Sequence, residues 1–479
     1  MSALPMENYS AEFYWIGMRQ YTSINRISED NNILNSTIEL TKQRVKENVK
    51  KEADRVKDFV LKGNICYSHT ARELLSFENG YVVCVDGKSC GVFDKLPQKY
   101  EALPVIDYEN QLIIPGLIDL HIHAPQYAYR GLGMDLELMD WLAQQAFLEE
   151  AKYEEMEYAR KAYSIFAEQM KKSGTTRTCI FATRHRPATE MLMELMEETG
   201  LISYVGKVNM DREAPEGLRE ESAEVSAYTT KEWLANVSGK FHRTKPILTP
   251  RFIPSCTDEL LERLGDIQKE FGLPVQSHLS ENQGEIQFVK ELRPQNAFYG
   301  EAYHDYNLFG NDAKTVMAHC VWSTEEEISL MKKNSVFIAH CPASNMNLSS
   351  GIAPVKKYLD KGLKIGLGSD VAGGQSESMF RAMTDAIQVS KMYWRLVEQS
   401  EKPITFSEAF YMATKGGGEF FGKVGSFEEG YEFDAIVLDD SELLHPQELT
   451  VLQRLERATY LGMDGKGLRA KYVAGSQIF

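Results

Sequence analysis

Residues Pro115–His123, PGLIDLHIH, hold the reading from which the rest of the chain follows. The apolar body is that of a short buried strand, and its end carries two histidines spaced two apart. Side chains at that spacing on a strand share a face. His121 and His123 therefore converge on one point, while Leu120 and Ile122 are expected to face an outer layer. Two imidazoles meeting at a strand end suit a metal ion. Working outward, runs of the same texture recur at 112–123, 175–183, 202–211, 245–252, 274–282, 315–321, 335–345 and 364–370, separated by helical stretches. Eight such strands predict an α/β fold of the (β/α)8 TIM-like barrel type. Polar and ionisable residues fall at the strand ends, where barrel enzymes place their chemistry.

Three further strand ends strengthen the metal reading: His278 in QSHLSEN, His319 in MAHC and Asp370 in GLGSD. A lone histidine at a strand end is an ordinary polar residue. Four of them with an aspartate, on four strand ends, form a ligand set. Nitrogen plus carboxylate without thiolate suits Zn2+, with Fe2+ or Mn2+ admissible. A metal with an open position lowers the pKa of water towards ~7, so hydrolysis is the expected chemistry. Glu281, three residues beyond His278, is placed to shuttle protons without ligating. Its alternative reading is a helix-start carboxylate behind a Ser280 cap.

The chain has 479 residues, long enough for a sizeable core. Hydrophobic residues at 43% and charged residues at 25% place it among ordinary globular proteins rather than disordered or coiled-coil ones. Lys and Arg number 53 against 69 Asp and Glu, and the resulting charge of −16 argues against nucleic acid as a partner. No apolar run approaches the ~20 residues of a membrane span, and Glu7 and Glu12 stand where a signal peptide needs apolar residues. The expectation is a cytoplasmic protein with no membrane partner. Seven scattered cysteines without a CxxC pair predict neither a disulfide framework nor a thiolate zinc site.

Residues 35–56 carry Ile38, Val45, Val49 and Val56 as a sparse apolar stripe and predict an amphipathic helix in an N-terminal extension, 1–57. Beyond it, ENGYVVCVDGKSCGVF (78–93) shows β texture bracketed by Asn79-Gly80 and Asp86-Gly87 turn signals. The same texture returns at 433–438 and 471–475. One small β-domain is therefore expected from both ends, 58–115 and 425–479, with 116–424 inserted between them as the barrel.

This arrangement resembles the amidohydrolase superfamily, over roughly residues 58–479. The resemblance implies a metal-dependent hydrolase barrel with a flanking β-sandwich. The carboxylated lysine that bridges two metals in some members has no counterpart here: the fourth strand begins at Lys245 and ends at Arg251. One metal per subunit is implied. Within the superfamily the chain is similar to the guanine deaminase family, through HIHAPQY, FATRH, VGKVNMD, LTPRFIPSC, QSHLSEN, MAHC, HCPASN and LGSDVAGG, in that order. That likeness implies Zn2+ on His121, His123, His278 and Asp370, with His319 orienting the water. It implies catalytic roles for Glu281, His319 and Asp370: Asp370 accepts the water proton, and Glu281 protonates the ring N3 and the departing amine. Guanine would be held by Gln126, Arg251 and Phe252, with His123 and His278 also facing it, and would leave as xanthine and ammonia in purine catabolism. The chemistry is apt, since guanine offers O6 and N7 as acceptors to an amide and a guanidinium, and its face to an aromatic ring. A homodimer is implied as well. The stretch 461–467, LGMDGKG, departs from the family's acidic-Arg-Asn pattern.

His340 is read as structural, and His69, His185, His242, His304 and His445 as ordinary polar residues. Gly373-Gly374 would let the chain approach a ligand closely, or simply turn. Two rival readings stand: a related mononuclear amidohydrolase acting on another amino- or chloro-substituted heterocycle, and a non-catalytic scaffold that uses the N-terminal helix. Gln126 and Arg251-Phe252 speak against the first, and the complete set of metal-site groups against the second.

Overall fold

In the computed structural model, residues 58–463 and 466–479 are described. The amphipathic helix expected at 35–56 lies outside them, as do Asp464 and Gly465 of the 461–467 stretch.

Strands from the two ends of the described chain share one seven-stranded sheet. Its order is Ser476–Gln477, Leu468–Val473, Ala435–Leu438, Val105–Pro115, Phe59–Thr70, Glu73–Val85, Lys88–Phe93. Phe59, Leu61, Ile65, Val82, Phe427, Phe433 and Tyr472 form its own apolar cluster. The two turn signals separate here. Asp86 and Gly87, at φ 50° and 70°, make the two-residue hairpin between Glu73–Val85 and Lys88–Phe93. Asn79-Gly80 is no turn: it lies within the long strand opposite a register slip between Gly63 and Ile65, where Asn79 N–H donates to Asn64 Oδ1.

Pro115 ends the strand Val105–Pro115 of that sheet, and two residues later the chain enters the first of eight parallel strands. Leu117–His123, Thr175–Phe181, Ile202–Gly206 and Thr244–Pro246 form one sheet; Val275–Leu279, Thr315–His319, Phe337–His340 and Lys364–Leu367 form another. Hydrogen bonds run across both gaps. On one side Gln276 N donates to Leu248 O at 2.9 Å; on the other Asp370 N donates to His121 O at 2.8 Å and His123 N to Val371 O at 3.1 Å. The third and fourth expected strands are shorter than their apolar runs. Each breaks in two, and the outer pieces Val208–Asn209 and Thr249–Pro250 pair separately. Pro246 and Pro250 each remove a ladder donor from the fourth run.

Helices between the strands follow amphipathic patterns with clear ends. Asp258–Phe271, for example, starts on Thr257, whose hydroxyl accepts from Leu260 N, and stops at left-handed Gly272. Leu120 departs from expectation. It packs with Ile118, Cys179, Val316, Ala318, Phe337 and Ala339, drawn from strands of both sheets, not with the helical layer. The ladder slips between Asp119 and Ile122, and such a bulge breaks the strict alternation on which that expectation rested.

Candidate active site

The C-terminal ends of the parallel strands bring His121, His123, His278, His319 and Asp370 together. His123 Nε2 lies 3.2 Å from His121 Nε2 and 3.2 Å from His278 Nε2. Asp370 Oδ1 is 3.1 Å from His121 Nε2 and 3.4 Å from His123 Nε2. Ligand atoms of His121, His123 and Asp370 lie within 4.8 Å of one another, as do those of His121, His278 and His319. Three imidazole nitrogens this close cannot each keep a proton, and one carboxylate cannot satisfy them all. The donor set fits a cation at their centre.

Local conformation aims these groups. Ser280, His319, Cys320 and Asp370 all have positive φ, between 47° and 74°, a region that non-glycine residues avoid at a cost of ~1–3 kcal/mol each. The chain thus turns sharply at the ends of the strands that lead to His278, His319 and Asp370. Outer hydrogen bonds fix the rings. His278 Nδ1–H donates to Arg251 O at 2.6 Å, and His319 Nδ1–H to Asn345 Oδ1 at 2.9 Å, which leaves each Nε2 free to face the centre. Asp119 clasps two of these strand ends: it accepts from His121 N, Ser369 N and Ser369 Oγ at 3.1, 3.0 and 2.6 Å.

Electrostatics sort the groups into roles. Burial lowers His121, His123 and His278, so these imidazoles are neutral, as ligation requires. Burial also works against charge on His319, yet Glu281 and Asp370 outweigh it and raise its pKa. Asp370 is buried too, but the hydrogen bond with His121 and the charge on His319 hold it well below the carboxylate range. Burial pushes Glu281 up to about 7. Its Oε2 lies 3.3 Å from His319 Nε2, and its Oε1 accepts from Ser350 Oγ at 3.0 Å. The helix-start reading of Glu281 fails in its detail: the cap of Gln283–Leu292 is Asn282, and Ser280 Oγ donates instead to Glu327. Cys341 also stands near Asp370 and His319. Burial raises its thiol far above neutrality and it donates to Ala339 O, so it stays protonated.

A cavity opens on this cluster, lined by His123, His278, His319, Glu281 and Asp370 together with Gln126, Arg251 and Phe252. Leu138, Trp141, Leu142 and Leu348 supply apolar walls, and Gly373 lines it as well. Gly374 answers to the turn alone: a side chain there would collide with Ser369 O. Nothing in the sequence singled out Glu150. It is buried, and it accepts from Gln126 Nε2 at 2.8 Å and from Arg251 Nη1 at 2.6 Å. His340 is buried with neither ring nitrogen hydrogen-bonded, while His69 pairs with Glu428 at the surface.

Known proteins are similar to this chain in sequence and fold. The amidohydrolase family model matches residues 112–466. The chain belongs to the amidohydrolase family. This amidohydrolase is 39% identical to a guanine deaminase of Dictyostelium discoideum over 382 residues, covering 78% of this chain and 84% of that protein. To the human guanine deaminase it is 37% identical, covering 77% and 83%. A crystal structure of a guanine deaminase from C. acetobutylicum, with guanine bound in its active site, superposes with a TM-score of 0.85 at 46% identity, covering 88% of this chain and all of that one. The superfamily expected from the sequence is thus the one found. Asp119, Glu150 and Asn345 are hydrogen-bonded to this site, and sequence reasoning did not single them out. Asn345 lies in HCPASN, one of the stretches that carry the family resemblance.

Proposed function

We propose that this amidohydrolase hydrolyses guanine to xanthine and ammonia, using one Zn2+ held by His121, His123, His278 and Asp370; the donor set also admits Fe2+. The observation that carries the reading is that Gln126 and Arg251, donors suited to O6 and N7, line the same cavity as Glu281 and the histidine–aspartate cluster. The similarity to guanine deaminases supports it.

When bound, the ion lowers the pKa of water towards ~7 and supplies a nucleophile at neutral pH. The residues do the rest. Arg251 and Gln126 donate to the O6/N7 edge, Phe252 packs on the ring, and guanine C2 is turned towards His123 and His278. Asp370, held ionised by the imidazoles around it, accepts the proton of the attacking water. His319, carrying a proton that Glu281 and Asp370 favour, orients that water. Glu281, at about 7, gives its proton to N3, takes up the proton lost by the added hydroxyl as C2 becomes a carbonyl and passes it to the departing amine, and is restored by the proton that Asp370 took from the water. In this reading the two parallel sheets are halves of one (β/α)8 barrel, 116–424. The segments 58–115 and 425–479 form a β-sandwich domain beside it, and 1–57 is an extension. The enzyme acts as a cytoplasmic homodimer on a free base and binds neither nucleic acid nor membrane. Among the described residues no helix is long and apolar enough to cross a membrane.

The test is ammonia release and xanthine formation from guanine by purified protein, before and after chelation, beside adenine, cytosine and a triazine. Metal-dependent xanthine formation confined to guanine is the expected result. A metal-loaded protein that leaves guanine untouched and turns over the triazine would move the assignment to the related heterocycle hydrolases. One that turns over none of the four would favour the scaffold reading.

A further inference from the structure

We infer that Glu150 sets the preference of this pocket for a 6-oxopurine over a 6-aminopurine, by holding Gln126 and Arg251 as a fixed pair of donors; the inference rests on the guanine reading above. Glu150 belongs to the helix Phe147–Ala151, in the segment whose Leu138, Trp141 and Leu142 wall the cavity. Its neighbour Glu149 makes local contacts, to Lys152 at 2.7 Å and to Tyr158. Glu150 instead reaches a strand end 101 residues away, and its side chain is 1% exposed. A carboxylate is left in such a place only with its charge paired and its oxygens occupied. Both conditions are met by the two groups proposed to read the base.

The consequence lies in what those groups can still offer. Gln126 is an amide, with an acceptor end and a donor end of nearly equal shape. Its Oε1 accepts from Ala372 N at 3.1 Å and its Nε2 donates to Glu150 Oε1 at 2.8 Å. Reversing it would set N–H against N–H at Ala372 and oxygen against carboxylate at Glu150. One Nε2–H remains for a ligand. Arg251, a donor only, spends Nη1 on Glu150 Oε2, and its guanidinium lies 5.2 Å from the centre of the Phe147 ring in the same helix. This edge of the pocket therefore carries donors, and the Glu150 charge offsets that of Arg251. A purine with O6 and N7 presents two acceptors to such an edge, whereas a 6-amino group presents a donor beside N7. Facing N–H groups leave both unsatisfied, and sites built on hydrogen bonds reject such mismatches strongly.

The experiment compares guanine with 2,6-diaminopurine, which keeps the 2-amino group and carries an amino group at position 6, losing the N1 proton with the oxo group. In E150Q the new amide can accept from one partner but must present N–H to the other, so the hold on Gln126 and Arg251 is lost. The expected result is a fall of ~10-fold or more in the ratio of kcat/KM for guanine to that for 2,6-diaminopurine, carried mainly by KM for guanine, with metal content and circular dichroism unchanged. E150D keeps the charge but falls one methylene short of spanning both partners. It shifts the ratio in the same direction and decides the matter if E150Q does not fold. Wild-type ratios in folded, metal-loaded variants would overturn the inference. Equilibrium binding of hypoxanthine and adenine to the wild-type protein separates this inference from the deamination reading. Preference for hypoxanthine without ammonia release from guanine would sink deamination alone, and equal binding of the two bases would sink the role of Glu150.

Discussion

Glu281 and Arg251 occupy the same cavity, and their substitutions should fail in different ways. Glu281→Gln keeps the shape and removes the titrating proton. The protein should retain its metal, while kcat falls by ~10²–10⁴-fold, the usual size of a general acid–base contribution; unchanged turnover would remove Glu281 from proton transfer. Arg251→Met should chiefly raise KM for guanine. Losing a charge-assisted hydrogen bond costs ~1.5–3 kcal/mol, roughly ten- to a hundredfold in binding, and steady-state kinetics would show it. The convergence of His121 and His123 was legible because side chains two apart on a strand share a face. Glu150 was not, because FLEEAKYEE reads as a solvated helix face until Arg251, far along the chain, is folded against it. Asp119 and Asn345 were hidden for the same reason: their partners Ser369 and His319 lie elsewhere along the chain.

Among the elements, the turn from Val275–Leu279 into Gln283–Leu292 is the piece that aims Glu281. Its capping box does two jobs, since Glu285 Oε2 accepts from Asn282 N and also from Glu281 N at 3.1 Å. Tyr299 OH then holds Glu285 Oε1 at 2.7 Å. Tyr299→Phe should loosen this chain without touching substrate or metal. A fall in kcat of ~3–10-fold, with KM and metal content unchanged, corresponds to one hydrogen bond of ~1 kcal/mol. A shift in KM instead would place Tyr299 in substrate binding. Most strands were visible as short apolar runs ending in polar residues. The third and fourth were overdrawn because their runs continue through prolines and the buried Lys207, which pairs with Glu220 at 2.6 Å. Hydrophobicity marks what is buried, not where a ladder stops.

Across the whole molecule, the end-derived sheet and the parallel sheets are joined by buried charge as well as by apolar contact. Arg177, on Thr175–Phe181, is 2% exposed and donates to Asp434 Oδ2 at 2.6 Å and Oδ1 at 3.1 Å, and to Glu432 Oε2 at 2.7 Å. Lys471 crosses the same boundary and donates to Met170 O, Lys171 O and Thr175 O. A shared boundary of this kind was legible only as β texture at both ends of the chain; the ion pairs were not, because one carboxylate among 69 acidic residues carries no mark of its partner. Arg177→Met would leave Asp434 buried without its cation. Breaking a buried pair by removing one partner costs ~3–5 kcal/mol, a large part of the stability of a typical domain. The midpoint of urea unfolding should fall accordingly. Replacing Asp434 as well, in an Arg177→Met/Asp434→Leu double variant, removes both charges and should recover part of that loss, since an apolar pair can match a buried ion pair. Both residues lie away from the metal-site cavity, so folded R177M protein should retain its metal content and KM. Equal midpoints for wild type and R177M would show that the join depends on apolar packing alone, with Arg177 and Asp434 no more than tolerated within it.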